Sequence, residues 1–124
     1  MMNPFLQVAL GGAAGSVARY GVNVLAGRLL PGYPLGTLVV NVLGCLIMGF
    51  MAGTIAHRGG QHLAPLLLTG LLGGFTTFSA FSLDALTLWQ RGEGVVAASY
   101  VLVSVFLSLA AVFAGLALAR GAFA

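Results

Sequence analysis

The residues best suited to chemistry lie in one stretch, Gly73-Gly74-Phe75-Thr76-Thr77-Phe78-Ser79-Ala80-Phe81-Ser82, set inside an otherwise apolar segment. Phe78 and Phe81 share a helical face three residues apart. An aromatic ring has a positive edge, so two edges offer an anion a weak, non-basic contact; the same two rings could equally be core filler. The Thr77 and Ser79 hydroxyls add donors beside them. Asn41 supplies a side-chain amide, either as a helix–helix hydrogen bond or as a donor facing an anion. Tyr100, Ser104 and Ser108 recur at i, i+4 and i+8, a polar stripe along one helix face. Either serine could instead bond back to its own helix carbonyl, whereas a buried phenol needs a partner. This inventory suits reversible ion coordination. It does not suit catalysis: no Ser/His/Asp set, paired carboxylates or phosphate loop is present, so the chain reads as a non-enzyme. His57 and His62 lie five apart with no cysteine or carboxylate beside them, which argues against a metal there.

These groups need an unusual element to position them. Two glycines followed by two threonines are poor helix interior, through backbone entropy and β-branching. A helix broken in lipid leaves N–H and C=O groups unpaired, at several kcal/mol per group, and survives only when buried in protein or lining a wet cavity. A break at 73–77 also has a polarity: the first half-helix ends in carbonyls and the second begins with N–H groups. Carbonyls of Gly73, Gly74 and Thr76 could face a Na⁺-like ion, and two breaks meeting in a dimer would complete its shell.

Composition sets the solvent. The chain has 124 residues, 60% hydrophobic and 6% charged, with mean hydropathy +1.07. That is the signature of an integral membrane protein. A bilayer core of about 30 Å takes about 20 apolar residues per helix. The expected architecture is all-α, a single domain over 1–124 with four transmembrane helices at about 5–29, 35–56, 63–89 (broken near the midplane at 73–77) and 95–119. The first stretch has no basic leader and runs too long for a signal peptide, so it is expected to be a retained helix. So thin a bundle is expected to oligomerise.

The net charge of +3 comes from arginines spread among helix ends, where they anchor topology rather than bind nucleic acid. Arg58 and Arg120 fall on one side, Arg28 and Arg91 on the other. That balance leaves orientation unbiased and permits dual topology. Arg19 is embedded, either as a snorkelling anchor or as a positive group drawing anions into a vestibule. Asp84 is expected near the interface and solvated. Cys45 lies mid-segment and forms no internal disulfide.

The stretches 11–20, 34–41 and 73–82 together resemble the CrcB/Fluc family of fluoride-specific ion channels, and the likeness covers essentially the whole chain. The resemblance implies an antiparallel, dual-topology homodimer in the inner (plasma) membrane, with two fluoride pathways and passive export of fluoride from the cytoplasm. It implies pathway roles for Phe78 and Phe81, for Asn41 with the neighbouring Thr77 and Ser79, and for the track of Tyr100, Ser104 and Ser108. It further implies a vestibule role for Arg19 and a structural Na⁺ on the backbone carbonyls of Gly73 and Thr76. Ala80 departs from the family's usual threonine and removes one possible donor beside the rings.

Two rival readings remain. A proton-coupled multidrug exporter needs an embedded carboxylate, and the first, second and fourth segments have none. A non-transporting assembly subunit would need only small-residue faces and leaves the break without a purpose.

Overall fold

The computed structural model describes residues 2–122, and they are helical with short connections. Helix α1 is Pro4–Leu29 and α2 is Leu35–Arg58. A 3₁₀ turn, Gln61–Leu63, leads into α3, residues 65–75, which is π-helical over Pro65–Leu72 and α-helical over Gly73–Phe75. Then come α4, Phe78–Gln90, and α5, Gly94–Ala122.

Local chemistry explains the boundaries. Asn3 caps α1, its Oδ1 accepting from Phe5 N–H at 2.7 Å, and Pro4 occupies the first turn, where a missing N–H costs nothing. The α1–α2 turn needs Gly32 at φ +85°, and α2 ends on Gly59 at φ +83°, a left-handed conformation that glycine adopts without steric cost.

Backbones meet closely where α1 crosses α3 and where α2 crosses α5. In α1, Gly11 and Gly15 lie against the Leu66, Leu71 and Phe75 backbone of α3, where a Cβ would collide with main-chain atoms. In α2, Gly49 and Gly53 lie against Val112, Leu116 and Ala119 of α5, and Gly115 returns the contact toward Leu46 and Phe50. Small residues let membrane helices pack without a hydrophobic drive between them. The pairing order also shows that α2 and α5 run in the same direction. The buried cluster is small: Phe81, Leu88, Ala97 and Tyr100, backed by Tyr33, Leu38, Ala85 and Val101. Large apolar side chains such as Phe5, Val95, Phe106 and Phe113 face outward instead.

Three segments, 35–58, 61–90 and 94–122, are long and apolar enough to cross a membrane. Four had been expected. Helix α1 is long enough, but Gln7, Arg19, Asn23 and Arg28 dilute its apolar run. The interior-facing ones are turned into the protein: Gln7 is buried, and Asn23 packs against Gly36.

The irregular backbone expected across 73–77 is corrected at its first three residues. Gly73–Phe75 is helical, while Thr76 (φ −92°, ψ 160°) and Thr77 (φ −155°, ψ 125°) are extended. Gly74 is needed for close approach, since a Cβ there would press on the Gly12 carbonyl of α1.

Candidate functional site

Side chains from two other helices bond to Thr77 and to the α3 backbone that leads into it. Asn41 of α2 takes both backbone groups of Thr77: Nδ2 donates to Thr77 O at 3.0 Å, and Thr77 N–H donates to Oδ1 at 2.8 Å. That reciprocal pair fixes which way the amide points. One Nδ2 proton remains for another acceptor. Arg19 of α1 donates from Nε to Gly74 O at 3.0 Å. Gln7 holds the other end of α3, its Oε1 accepting from Leu66 N–H at 3.2 Å. Thr77 then caps α4, its Oγ1 accepting from Ala80 N–H at 3.1 Å, a satisfied helix start.

These bonds leave two carbonyls without their helical donors. In a continuous helix Thr77 N–H would reach Gly73 O, and Ala80 N–H would reach Thr76 O. The first goes to Asn41 and the second to the Thr77 hydroxyl. Among the described residues no cluster of three His, Cys, Asp or Glu could hold a metal.

Beside the extended pair lies a cleft of about 250 Å³ lined by Asn41, Cys45, Thr76, Thr77, Phe78, Phe81, Ser104, Val105 and Ser108. It contains no charged side chain. Phe78 is 77% exposed and Phe81 only 8%, their ring centroids 5.6 Å apart. Ser104 is 4% exposed, and its Oγ has no hydrogen-bond partner. The back-bond to its own helix, open from sequence, is not made. Elsewhere it is: Thr54, Thr76, Ser82 and Thr87 each donate to the carbonyl four residues earlier.

The remaining sequence candidates lie outside this cleft. Ser79 is exposed, with its Oγ 3.3 Å from Thr77 Oγ1. Tyr100 is fully buried behind Phe81, ring centroids 5.3 Å apart, and its hydroxyl donates to Asp84 Oδ2 at 3.2 Å. Asp84 is therefore half-buried and bonded, not simply solvated. It lines a second cleft of about 210 Å³ with Tyr33, Thr87 and Arg91 at the α1–α2 turn. Tyr33 meets Tyr100 edge-on at 5.8 Å, so Phe78, Phe81, Tyr100 and Tyr33 form an aromatic run from one cleft to the other. Sequence reasoning undervalued Asp84 and Cys45. The available signals were that Asp84 is one of two carboxylates in the chain, and that Cys45 falls one turn after Asn41.

A family model described as CrcB-like protein, Camphor Resistance (CrcB), matches residues 6–116. The chain belongs to the CrcB family. It is 72% identical over 124 residues to the fluoride-specific ion channel FluC of Paracoccus denitrificans, covering 100% of both chains. It is 56% identical over 122 residues to the protein of that name from Cereibacter sphaeroides, covering 98% of each. A third FluC, from Rhizobium etli, is 56% identical over 123 residues, covering 97% of this chain and 98% of its own. The CrcB family consists of ion channels, not enzymes, and this member is a multi-pass membrane protein.

Proposed function

We propose that this protein is a fluoride-selective passive channel that lets fluoride leave the cytoplasm across the inner (plasma) membrane. The observation that carries the reading is the buried, unpartnered Ser104 hydroxyl in an uncharged cleft shared with Asn41, Ser108 and two phenylalanine rings. Fluoride is small and strongly hydrated, so a pathway must replace its water with donors. Hydroxyls, one amide N–H and ring edges do so without the fixed charge that would hold the ion too tightly to release. The aromatic run toward Tyr33 and Asp84 gives the route a direction.

The channel is an antiparallel dual-topology homodimer with two pathways. The 77% exposure of Phe78 and the open cleft beside it suit a wall completed by a second copy, and the arginine balance permits opposed insertion. Helix α1 is the fourth membrane span, its Gln7 and Arg19 satisfied inside the protein. The extended Thr76–Thr77 pair interrupts the third span near the midplane, where irregular backbone is tolerated beside a cavity. Gly73 O and Thr76 O, freed of their helical donors, fit a structural Na⁺ at the dimer interface. Gly73 and Thr76 would hold the ion through those oxygens, and it would supply a positive charge to offset their negative ends. The chain's own part is to aim those oxygens, through Asn41 and the Thr77 cap.

The test is anion efflux from liposomes loaded with purified dimers. Fluoride release without chloride release supports the channel. Release of neither ion from verified dimers overturns it in favour of an assembly subunit. Purification with Na⁺ replaced by N-methylglucamine is expected to weaken dimers on size exclusion, and indifference would remove the ion from the proposal.

A further inference from the structure

The cleft contains a residue for which the channel reading above has no role. Cys45 lines it together with Ser104 and Ser108. The α2–α5 packing explains this placement. Gly49 faces Val112, and the two helices run the same way. Carried back four residues, that register sets Cys45 opposite Ser108; carried back eight, it sets Asn41 opposite Ser104. The polar wall thus has two rungs, about 6 Å apart at 1.5 Å per residue. The first pairs an amide with a hydroxyl, and the second pairs a thiol with a hydroxyl. An independent observation marks the wall as a ligand surface: the Ser104 Oγ, on a residue 4% exposed, has no partner.

We propose that the Cys45 thiol is part of the conduction wall opposite Ser108, and that a small disulfide adduct on it closes the pathway. This rests on the channel reading. A thiol is a weaker donor than a hydroxyl, so the second rung holds an anion less firmly than the first, which favours onward movement. It is also the only cysteine in the chain, so a thiol reagent has one target.

The probe is methyl methanethiosulfonate. The Cys45 thiol gives its proton to water, and its sulfur attacks the reagent's sulfenyl sulfur. A Cys45–S–S–CH₃ bond forms as methanesulfinate leaves with the electron pair of the broken S–S bond. Fluoride efflux from proteoliposomes is measured before treatment, after it, and after dithiothreitol, with adduct mass and dimer integrity followed in parallel. The expected result is a drop of about tenfold or more with dimers intact, reversed by dithiothreitol, as for an obstruction in a narrow pore. In Cys45→Ala, and in Cys45→Ser should the alanine variant fail to assemble, treated and untreated efflux are expected to be equal.

Full labelling with unchanged efflux overturns the proposal. So does a thiol that labels only after denaturation, dissociation of the labelled dimer, or equal inhibition of the cysteine-free variants. An untreated protein that passes no fluoride instead sinks the channel reading, while labelling of the folded protein still tells whether the thiol faces the cleft.

Discussion

Two polar neighbourhoods adjoin Thr77, and they treat their hydrogen-bonding groups in opposite ways. On the side facing α1 and α2, long side chains bond to backbone groups: Gln7 takes Leu66 N–H, Arg19 takes Gly74 O, and Asn41 takes both backbone groups of Thr77. On the α5 side the Ser104 hydroxyl is buried and unmatched, although other helix hydroxyls return to their own carbonyls. Satisfied groups fix a shape. An unsatisfied buried donor has a standing cost of about 1–3 kcal/mol, which folding alone gives no reason to retain. The difference separates scaffold from binding wall, and Asn41 belongs to both.

Its double membership makes Asn41 the place to break the comparison hardest. Asn41→Asp keeps an acceptor for Thr77 N–H but loses the donor to Thr77 O and puts a negative charge beside the cleft. Fluoride efflux is expected to vanish; normal conduction would make the amide purely structural. Asn41→Ala leaves both Thr77 groups unpaired, a loss of about 2–5 kcal/mol, visible as dimers that fall apart at lower temperature.

The two phenylalanines should separate fold from flux. Phe78→Ile and Phe81→Ile are both expected to abolish fluoride efflux. Only Phe81→Ile, which disturbs a ring packed on Tyr100, should also lower thermal stability, by about 1–2 kcal/mol. Flux retained in either would remove that ring from the pathway. Ser104→Ala sharpens the contrast further. Removing an unpaired hydroxyl should leave stability unchanged or raised by up to about 1 kcal/mol, while efflux falls about tenfold. A destabilised protein with normal flux would mean that Ser104 has a structural partner after all.

What was legible in the sequence follows the same division. Membrane class, the helical architecture and the family could be read from long apolar runs and from residues in fixed order, because those are properties of single segments. Partners could not. Asn41 and Thr77 are 36 residues apart, Gln7 and Leu66 are 59 apart, and nothing in residue type announces which helices cross. A break read across 73–77 begins too early at Gly73 and Gly74, because glycine is a poor helix former, whereas Gly74 is required for its missing Cβ against Gly12. The π-helical turns of 65–72 left no mark in composition. Asp84 was taken for a solvated charge because its mate, Tyr100, comes from the next helix.

The smallest expected effect tests how far a resemblance can be carried residue by residue. Ser79 matches a pathway stretch in sequence, yet it does not line the cleft, and its hydroxyl lies 3.3 Å from that of Thr77. Thr77→Ala removes the α4 cap and should cost about 1 kcal/mol, with a matching shift in thermal unfolding. Ser79→Ala leaves that cap bond to Ala80 N–H in place, so efflux should stay within about twofold of the unmodified protein, the range expected of an exposed substitution. A larger fall, with stability unchanged, would place the Ser79 hydroxyl on a part of the conduction surface that a single chain does not enclose. The second copy would then contribute more than a wall for Phe78: it would complete a second donor site on the far side of the Thr77 cap.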